Sequence, residues 1–170
     1  MLGLSSLGAV HTAFALVAVV CGYAMTLRFG RISAELSLGK TYIATTAITC
    51  LTGFGIFMHG GFSIAHALGA LTLVVLGVAV AAGRARETSR LAAYVETIGF
   101  TLTLFLHMVP GMTETFTRFP IGAPLFTGPD DPKLQKLIGF ILLAFMVGIA
   151  LQVRHIWKAP TSMRHRTGLA

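Results

Sequence analysis

The chain has 170 residues and a formal net charge of +7, yet only 11% of its residues are charged and 55% are hydrophobic. A soluble domain carries roughly 25% charged residues, so this composition excludes an ordinary soluble protein and indicates a surface that faces lipid. The positive charge does not indicate nucleic acid, because the basic residues lie between the apolar runs and no basic, aromatic-rich motif accompanies them.

Five apolar runs are long enough to cross the hydrocarbon core of a bilayer, which takes about 20 residues. They predict an all-α, polytopic membrane bundle that forms one domain, with spans at residues 4–27, 41–59, 62–83, 91–109 and 134–157. A β-barrel is disfavoured because the strands of a barrel alternate polar and apolar residues. The first run has no basic residue before it, so we expect a retained span and not a cleaved signal.

The basic residues predict the orientation of the bundle. They cluster in the first connection, in the third connection and at the carboxyl-terminal end: Arg28, Arg31, Lys40, Arg84, Arg86, Arg90, Arg154, Lys158, Arg164 and Arg166. The positive-inside rule places these three regions in the cytoplasm. The sequence therefore predicts a multi-pass protein of the bacterial inner membrane, in contact with the lipid bilayer, with its amino terminus outside and its carboxyl terminus inside.

Four histidines fall in one layer of this predicted bundle. His11, His59, His66 and His107 each lie near the outer end of a different span, and His59 and His66 flank the short "HGGFS" connection. Ionisable groups at membrane depth usually face the bundle interior or a cavity. Imidazoles from several helices can ligate haem iron or a metal ion. The alternative is that these histidines lie half-solvated in the interfacial region and bind nothing.

Two ligands suit this layer. Haem b would use two of the four histidines, preferably His66 with either His11 or His107, and Arg118 could pair with a propionate. Copper is the alternative, with His59, His66 and His107 as ligands, because Met108 adjoins the last histidine and thioethers suit Cu(I).

The fourth span carries a second polar feature. Glu96, Phe100, Thr103 and His107 recur at helical spacing and should share one inward face. Glu96 and Thr103 could form a proton path below His107, or Glu96 could simply bond a neighbouring side chain or extend towards the interface. Beyond that span, Glu114 and Arg118 are four residues apart and should pair if their stretch is helical.

The segment 110–133 is predicted to be a long outer loop, because five of the six prolines of the chain fall within it. Long loops without secondary structure are often functional. Its apolar residues could cover the outer mouth of the bundle as a lid, or the segment could be a plain tether. Asp130 and Asp131, at its end, are predicted to form a turn and to cap the fifth span.

The motif "LGKTYIATTAITCLTGFGIFMHGGFSIAHALG" resembles an uncharacterised bacterial family of small polytopic integral membrane proteins. The resemblance covers residues 10–110 and rests on Gly39, Lys40 and Tyr42 at the entry of one helix and on His66 at the start of the next. The family has no agreed activity, so it implies a fold and not a function. Histidines on a small helical bundle are also similar, more loosely, to b-type cytochrome membrane anchors.

These features predict a haem- or metal-binding membrane subunit that transfers electrons near the periplasmic face, with a quinone as a candidate partner. The alternatives are a non-catalytic accessory subunit of a larger membrane complex and a small proton-coupled transporter that uses Glu96. No phosphate-binding loop, nucleophile elbow or dinucleotide fingerprint occurs in the chain, so the sequence leaves open whether the protein is an enzyme.

Overall fold

The computed structural model describes residues 5–56 and 61–158, and every regular element in these ranges is an α-helix. The helices are α1 (Ser6–Phe29), α2 (Ser37–Gly53), α3 (Ile64–Gly83), α4 (Arg90–Arg118) and α5 (Pro132–Lys158). The predicted all-helical fold with five helices is therefore confirmed.

Four of these helices, α1, α3, α4 and α5, are long and apolar enough to cross a membrane. The exception is α2, which has 17 residues and begins at Ser37, four residues before the predicted start. It ends at Gly53, so the predicted end at residue 59 is wrong, since residues 54–56 are already outside the helix; His59 itself lies outside the described residues. The chain is thus a membrane protein with four such helices among the described residues.

The bundle is built from two antiparallel hairpins. Helix α1 packs along α2, and α3 packs along α4, whereas α2 meets α3 less extensively and α1 meets α4 over the smallest of the helix–helix contacts. Helix α5 packs against α4 on the outside of this four-helix core, where Phe105 and Phe145 make an edge-on ring contact with centroids 5.5 Å apart. Helices α1 and α4 meet along a seam that is the shortest helix–helix contact among the described helices.

The buried core lies where small residues allow the helices to approach. Ala18 and Gly22, two small residues on one face of α1, are buried. A β-carbon on Gly22 would lie only 2.8 Å from Leu104 Cδ1 and 3.0 Å from Tyr42 Cε2. Glycine is thus required at position 22 for α1 to seat against the side chains of α2 and α4.

The prediction of an outer loop at residues 110–133 is wrong for its first nine residues, because α4 continues through Pro110 to Arg118. Proline removes one backbone donor, but a membrane helix tolerates this loss when nearby hydroxyl groups rebond the backbone. Thr113 Oγ1 donates to the Val109 carbonyl at 2.8 Å, and Thr117 Oγ1 donates to the Thr113 carbonyl at 2.7 Å. The connection between α4 and α5 is therefore residues 119–131.

The predicted capping of α5 is confirmed for Asp131. Its carboxylate accepts from the backbone N–H of Lys133 at 2.9 Å and from that of Thr127 at 3.1 Å. These hydrogen bonds, with the Thr127 contact first, lower the pKa of Asp131 below its ordinary value of 3.8. The carboxylate thus joins the end of the connecting loop to the first turn of the last helix.

We call the end of the bundle that holds Arg31, Arg84 and Arg86 the basic end, and the end that holds His11 and His107 the histidine end. Helices α1 and α3 end at the basic end, whereas α2 and α4 begin there. The two ends are separated along α4 by about 16 Å from Glu96 to His107, at 1.5 Å per residue.

Candidate functional site

The inward row predicted on α4 is confirmed. Glu96, Phe100, Thr103 and His107 are all buried, with exposed fractions of 2%, 0%, 0% and 7%. Helix α4 takes this central position because its polar residues recur on the faces that meet its neighbours. The row contains the two buried ionisable groups that require an explanation, one near each end of the bundle.

His107, at the histidine end, has its two ring nitrogens in different environments. The imidazole lies within hydrogen-bonding reach of the main chain of Thr103, one turn earlier. Nε2 is buried and has no hydrogen-bond partner within residues 5–56 and 61–158. With the ring proton on Nδ1, Nε2 would present an unused lone pair inside the bundle. Histidines that bind metals through Nε2 commonly donate the other N–H to a backbone carbonyl in this way.

His11 faces the same region from α1. Its Nδ1 lies 3.2 Å from Thr52 Oγ1 on α2. The hydroxyl proton of Thr52 is engaged with the Ile48 carbonyl, 2.8 Å away, and a hydroxyl group has only one proton to donate. Nδ1 of His11 therefore donates to Thr52, which leaves its Nε2 as the second lone pair.

The two imidazoles lie within electrostatic range of one another across the seam between α1 and α4. Glu114, two turns beyond His107 on α4, is also within electrostatic range of His11. Its carboxylate contacts Arg118 Nε at 2.6 Å, so the predicted i,i+4 pair is confirmed. Arg118 is thus joined to Glu114 beside the two-histidine site.

His66 makes contacts that differ from those of His11 and His107. Its Nδ1 accepts from the backbone N–H of Ser63 at 3.1 Å and lies 2.9 Å from Ser63 Oγ, so the ring caps the first turn of α3. Its ring lies against Phe54 and Phe62, with centroids 6.5 and 4.9 Å away. Since Nδ1 accepts, the neutral ring carries its proton on Nε2. This tautomer is opposite to that of His107 and does not favour ligation through Nε2.

The remaining predicted ligands are not gathered around His107. Met108 lines a small void against α5 together with Phe105, Val109, Ile138 and Ile141. His59 lies outside the described residues. Within the described ranges no three histidine, cysteine or carboxylate side chains are close enough to hold a metal ion. Among the predicted ligands in the described ranges, His11 and His107 are the two that lie within electrostatic range of one another.

Glu96, near the basic end, is held by two arginines. Its Oε2 lies 2.5 Å from Arg86 Nη1 and 3.6 Å from Arg31 Nη1, and Arg86 also donates to Thr97 Oγ1 at 3.1 Å. Burial and the neighbouring Arg86 lower the pKa of Arg31, whereas the attraction of Glu96 raises it. The carboxylate is thus paired with two guanidinium groups, and this geometry suits an ion pair better than a proton carrier.

Thr103, the other member of the predicted proton path, is hydrogen-bonded within the core. Its hydroxyl donates to the Phe100 carbonyl at 2.9 Å, and Tyr42 OH donates to it across 2.7 Å. Phe100, fully buried, occupies the helix turn between Glu96 and Thr103. The path is thus interrupted by an aromatic ring on its own helix.

Sequence reasoning missed three partners of these groups. Thr52 lies on α2, and its pairing with His11 depends on the packing of α1 on α2. Arg86 and Arg31 were used only to predict the orientation of the bundle. Arg86 contacts Glu96 because the α3–α4 turn brings it back over the second turn of α4.

Comparison with protein-family models, with curated proteins and with solved structures finds no match to this chain. The resemblance over residues 10–110 therefore stays a prediction, and the function must be inferred from the geometry of the site itself.

Proposed function

We propose that this protein is a five-span subunit of a bacterial inner membrane, with its amino terminus outside, that holds a redox-active group between His11 and His107. The observation that carries the proposal is the buried Nε2 of His107, which has no hydrogen-bond partner among the described residues. A buried polar atom without a partner costs about 1–3 kcal/mol. A ligand that accepts the lone pair would remove this cost.

The size of the donor set favours haem b over a single metal ion. A structural zinc site requires four protein ligands, and a catalytic one requires three. Haem iron receives four nitrogens from its own macrocycle and requires only axial ligands from the protein. His11 and His107, on the facing helices α1 and α4, would supply that pair. Copper remains the alternative ligand.

The residues around the pair have roles that do not depend on which group binds. Thr52 and the Thr103 carbonyl orient the two rings and keep the proton on Nδ1. Glu114 lies close enough to His11 to respond to a change of charge at the site. When bound, haem would supply one-electron chemistry, and a quinone or a neighbouring subunit would be the electron partner.

Optical titration of the purified protein with haemin tests the proposal. We expect one haem per chain and a Soret band typical of two axial histidines. His107→Ala should lose this spectrum, whereas His155→Ala, an exposed histidine near the basic end, should keep it. No Soret band in the wild type, together with no copper by elemental analysis after copper loading, would refute both forms of the proposal.

A second candidate function is a non-catalytic subunit of a larger membrane complex, and α5 is the observation that favours it. Among the described helices, α5 packs only against α4. Phe140, Leu143, Val147 and Leu151 form one apolar stripe along it and are 60–70% exposed. Such a stripe faces either lipid or a partner helix. Native electrophoresis of gently solubilised membranes separates the cases, because a monomer that is stable on its own would count against a partner.

A further inference from the structure

A groove between α2 and α3 is independent of the histidine site. Its volume is about 280 Å³, and it is lined by Ile43, Leu73, Leu76, Gly77, Val80, Ala81 and Arg84. All but the last are apolar. From Leu73 to Arg84 it extends about 16 Å along α3, at 1.5 Å per residue. This length is close to half of the ~30 Å hydrocarbon core, so the groove matches the depth of one membrane leaflet.

The groove ends at two cations. Arg84 follows the last turn of α3 and lines the groove. Lys40 is on the first turn of α2, three residues before Ile43, so it lies on the same face of α2, one turn nearer the basic end. No carboxylate of the described ranges forms an ion pair with either side chain. The mouth of the groove therefore has one basic side chain in its lining and a second one helix turn away, and no carboxylate of the described residues pairs with either.

From this juxtaposition we propose that the α2–α3 groove binds one anionic phospholipid of the leaflet at the basic end. One acyl chain lies along the apolar wall beside Gly77, and the phosphate lies between Arg84 and Lys40. The apolar depth and the cationic mouth together match this amphiphile. A free phosphate would leave the apolar wall unused, and a zwitterionic lipid would place a cation near the two basic side chains.

Gly77 allows the groove to be filled without disturbing the fold. A β-carbon on Gly77 would meet no atom within 4 Å, and the same holds for Gly148 on α5. Gly77→Leu should therefore occupy the space of the acyl chain, and Gly148→Leu is the matched control on a different helix. For the charges, Arg84→Gln and Lys40→Gln are the test variants, and Arg154→Gln on α5 is the control.

Native mass spectrometry of the detergent-solubilised full chain, with phosphatidylglycerol and phosphatidylcholine as probes, measures the binding. We expect one bound phosphatidylglycerol, preferred over phosphatidylcholine. Each lost cation should weaken binding about fivefold, as expected for a basic residue at the membrane surface. Gly77→Leu should abolish it. The two control variants should bind as the wild type does.

Three results would overturn the proposal. The first is equal binding of the two lipids, which would mean that the cations do not select the headgroup. The second is unchanged binding in Gly77→Leu with the normal circular dichroism of a helical protein. The third is full competition by glycerol phosphate, which has the headgroup chemistry without an acyl chain and would reduce the site to a surface anion contact.

Discussion

At the scale of single residues, the structure explains why a very apolar chain keeps a carboxylate on its central helix. Glu96 stabilises two arginines that reach it from different connections, Arg31 after α1 and Arg86 after α3. The ion pairs therefore hold the basic ends of both hairpins together. Gln152 on α5 adds a neutral link, since it accepts from Thr101 Oγ1 and donates to the Gly30 carbonyl.

Glu96→Gln should destabilise the protein by about 2–3 kcal/mol, because it leaves Arg86 without its counter-charge and Arg31 with only the exposed Glu35. The value is at the low end for a buried pair, since the side chains of Arg86 and Arg31 remain 18% and 28% exposed. Thermal unfolding in detergent, monitored by circular dichroism, measures it. Glu35→Gln, an exposed partner of Arg31, is the control and should change little.

Glu96→Gln also tests the hypothesis that the protein is a proton-coupled transporter. If Glu96 only joins the hairpins, any proton flux into proteoliposomes should be as small with the wild type as with Glu96→Gln. A flux that depends on this carboxylate would show instead that it carries protons, and the ion-pair interpretation would then be insufficient.

The contribution of the Tyr42–Thr103 hydrogen bond to stability can also be measured at the scale of single residues. Tyr42→Phe removes the donor of a buried 2.7 Å hydrogen bond, while Thr103 keeps its bond to the Phe100 carbonyl. We expect a loss of about 1 kcal/mol. Adding Thr103→Val to Tyr42→Phe should cost less than the sum of the two single changes. Strict additivity would mean that the two hydroxyl groups do not interact in the protein.

At the scale of elements, the first turn of α2 illustrates what a short motif encodes. A β-carbon on Gly39 would lie 1.7 Å from the Ser33 carbonyl oxygen, so the α1–α2 connection can return only over a glycine. Lys40 next to it is exposed, and Tyr42 is fully buried. The Gly-Lys-Thr-Tyr sequence thus combines a close backbone approach, a surface cation and a core hydrogen bond within one turn.

Gly39→Ala should therefore destabilise the α1–α2 hairpin by about 3 kcal/mol or more, at the upper end of the cost of overpacking. Gly139→Ala is the matched control, because a β-carbon on this glycine of α5 meets open space. Melting temperatures in the same detergent compare the two variants. Equal melting temperatures would contradict the tight approach of Ser33 to α2.

The first turn of α5 should lose its capping hydrogen bonds in acid. Because the pKa of Asp131 is lowered by its backbone hydrogen bonds, the capping contribution is complete above the ordinary pKa of 3.8 and is lost only as the pH falls through the lower, folded value. We expect the Lys133 amide to stay protected from hydrogen exchange at pH 3.8 and to lose protection on further acidification. Loss of protection well above pH 3.8 would contradict this sign.

At the scale of the whole molecule, hydropathy and helical spacing suffice to predict the five helices and the inward row of α4. They work because a bilayer penalises unpaired backbone and lipid-facing charge so strongly that few arrangements remain. The continuation of α4 past Pro110 could not be predicted with them. It depends on the hydroxyl bonds of Thr113 and Thr117, which become apparent only once the helix exists.

The candidate site, too, could be predicted only in part from the sequence. Depth along the helices placed His11, His66 and His107 near one end, but depth does not determine which ring nitrogen is free. That depends on local donors, the Ser63 backbone N–H for His66 and the Thr103 carbonyl for His107. The preferred axial pair therefore changes from one that includes His66 to His11 with His107, while haem b and electron transfer stay proposals.

The most direct measurement is the haem content of four variants purified from the same host membranes, determined by the reduced-minus-oxidised difference spectrum. His11→Ala and His107→Ala should each lose the haem. His66→Ala and His155→Ala should retain one haem per chain, since these histidines lie outside the proposed pair. Loss of haem in His66→Ala with full retention in His107→Ala would contradict the site described between α1 and α4.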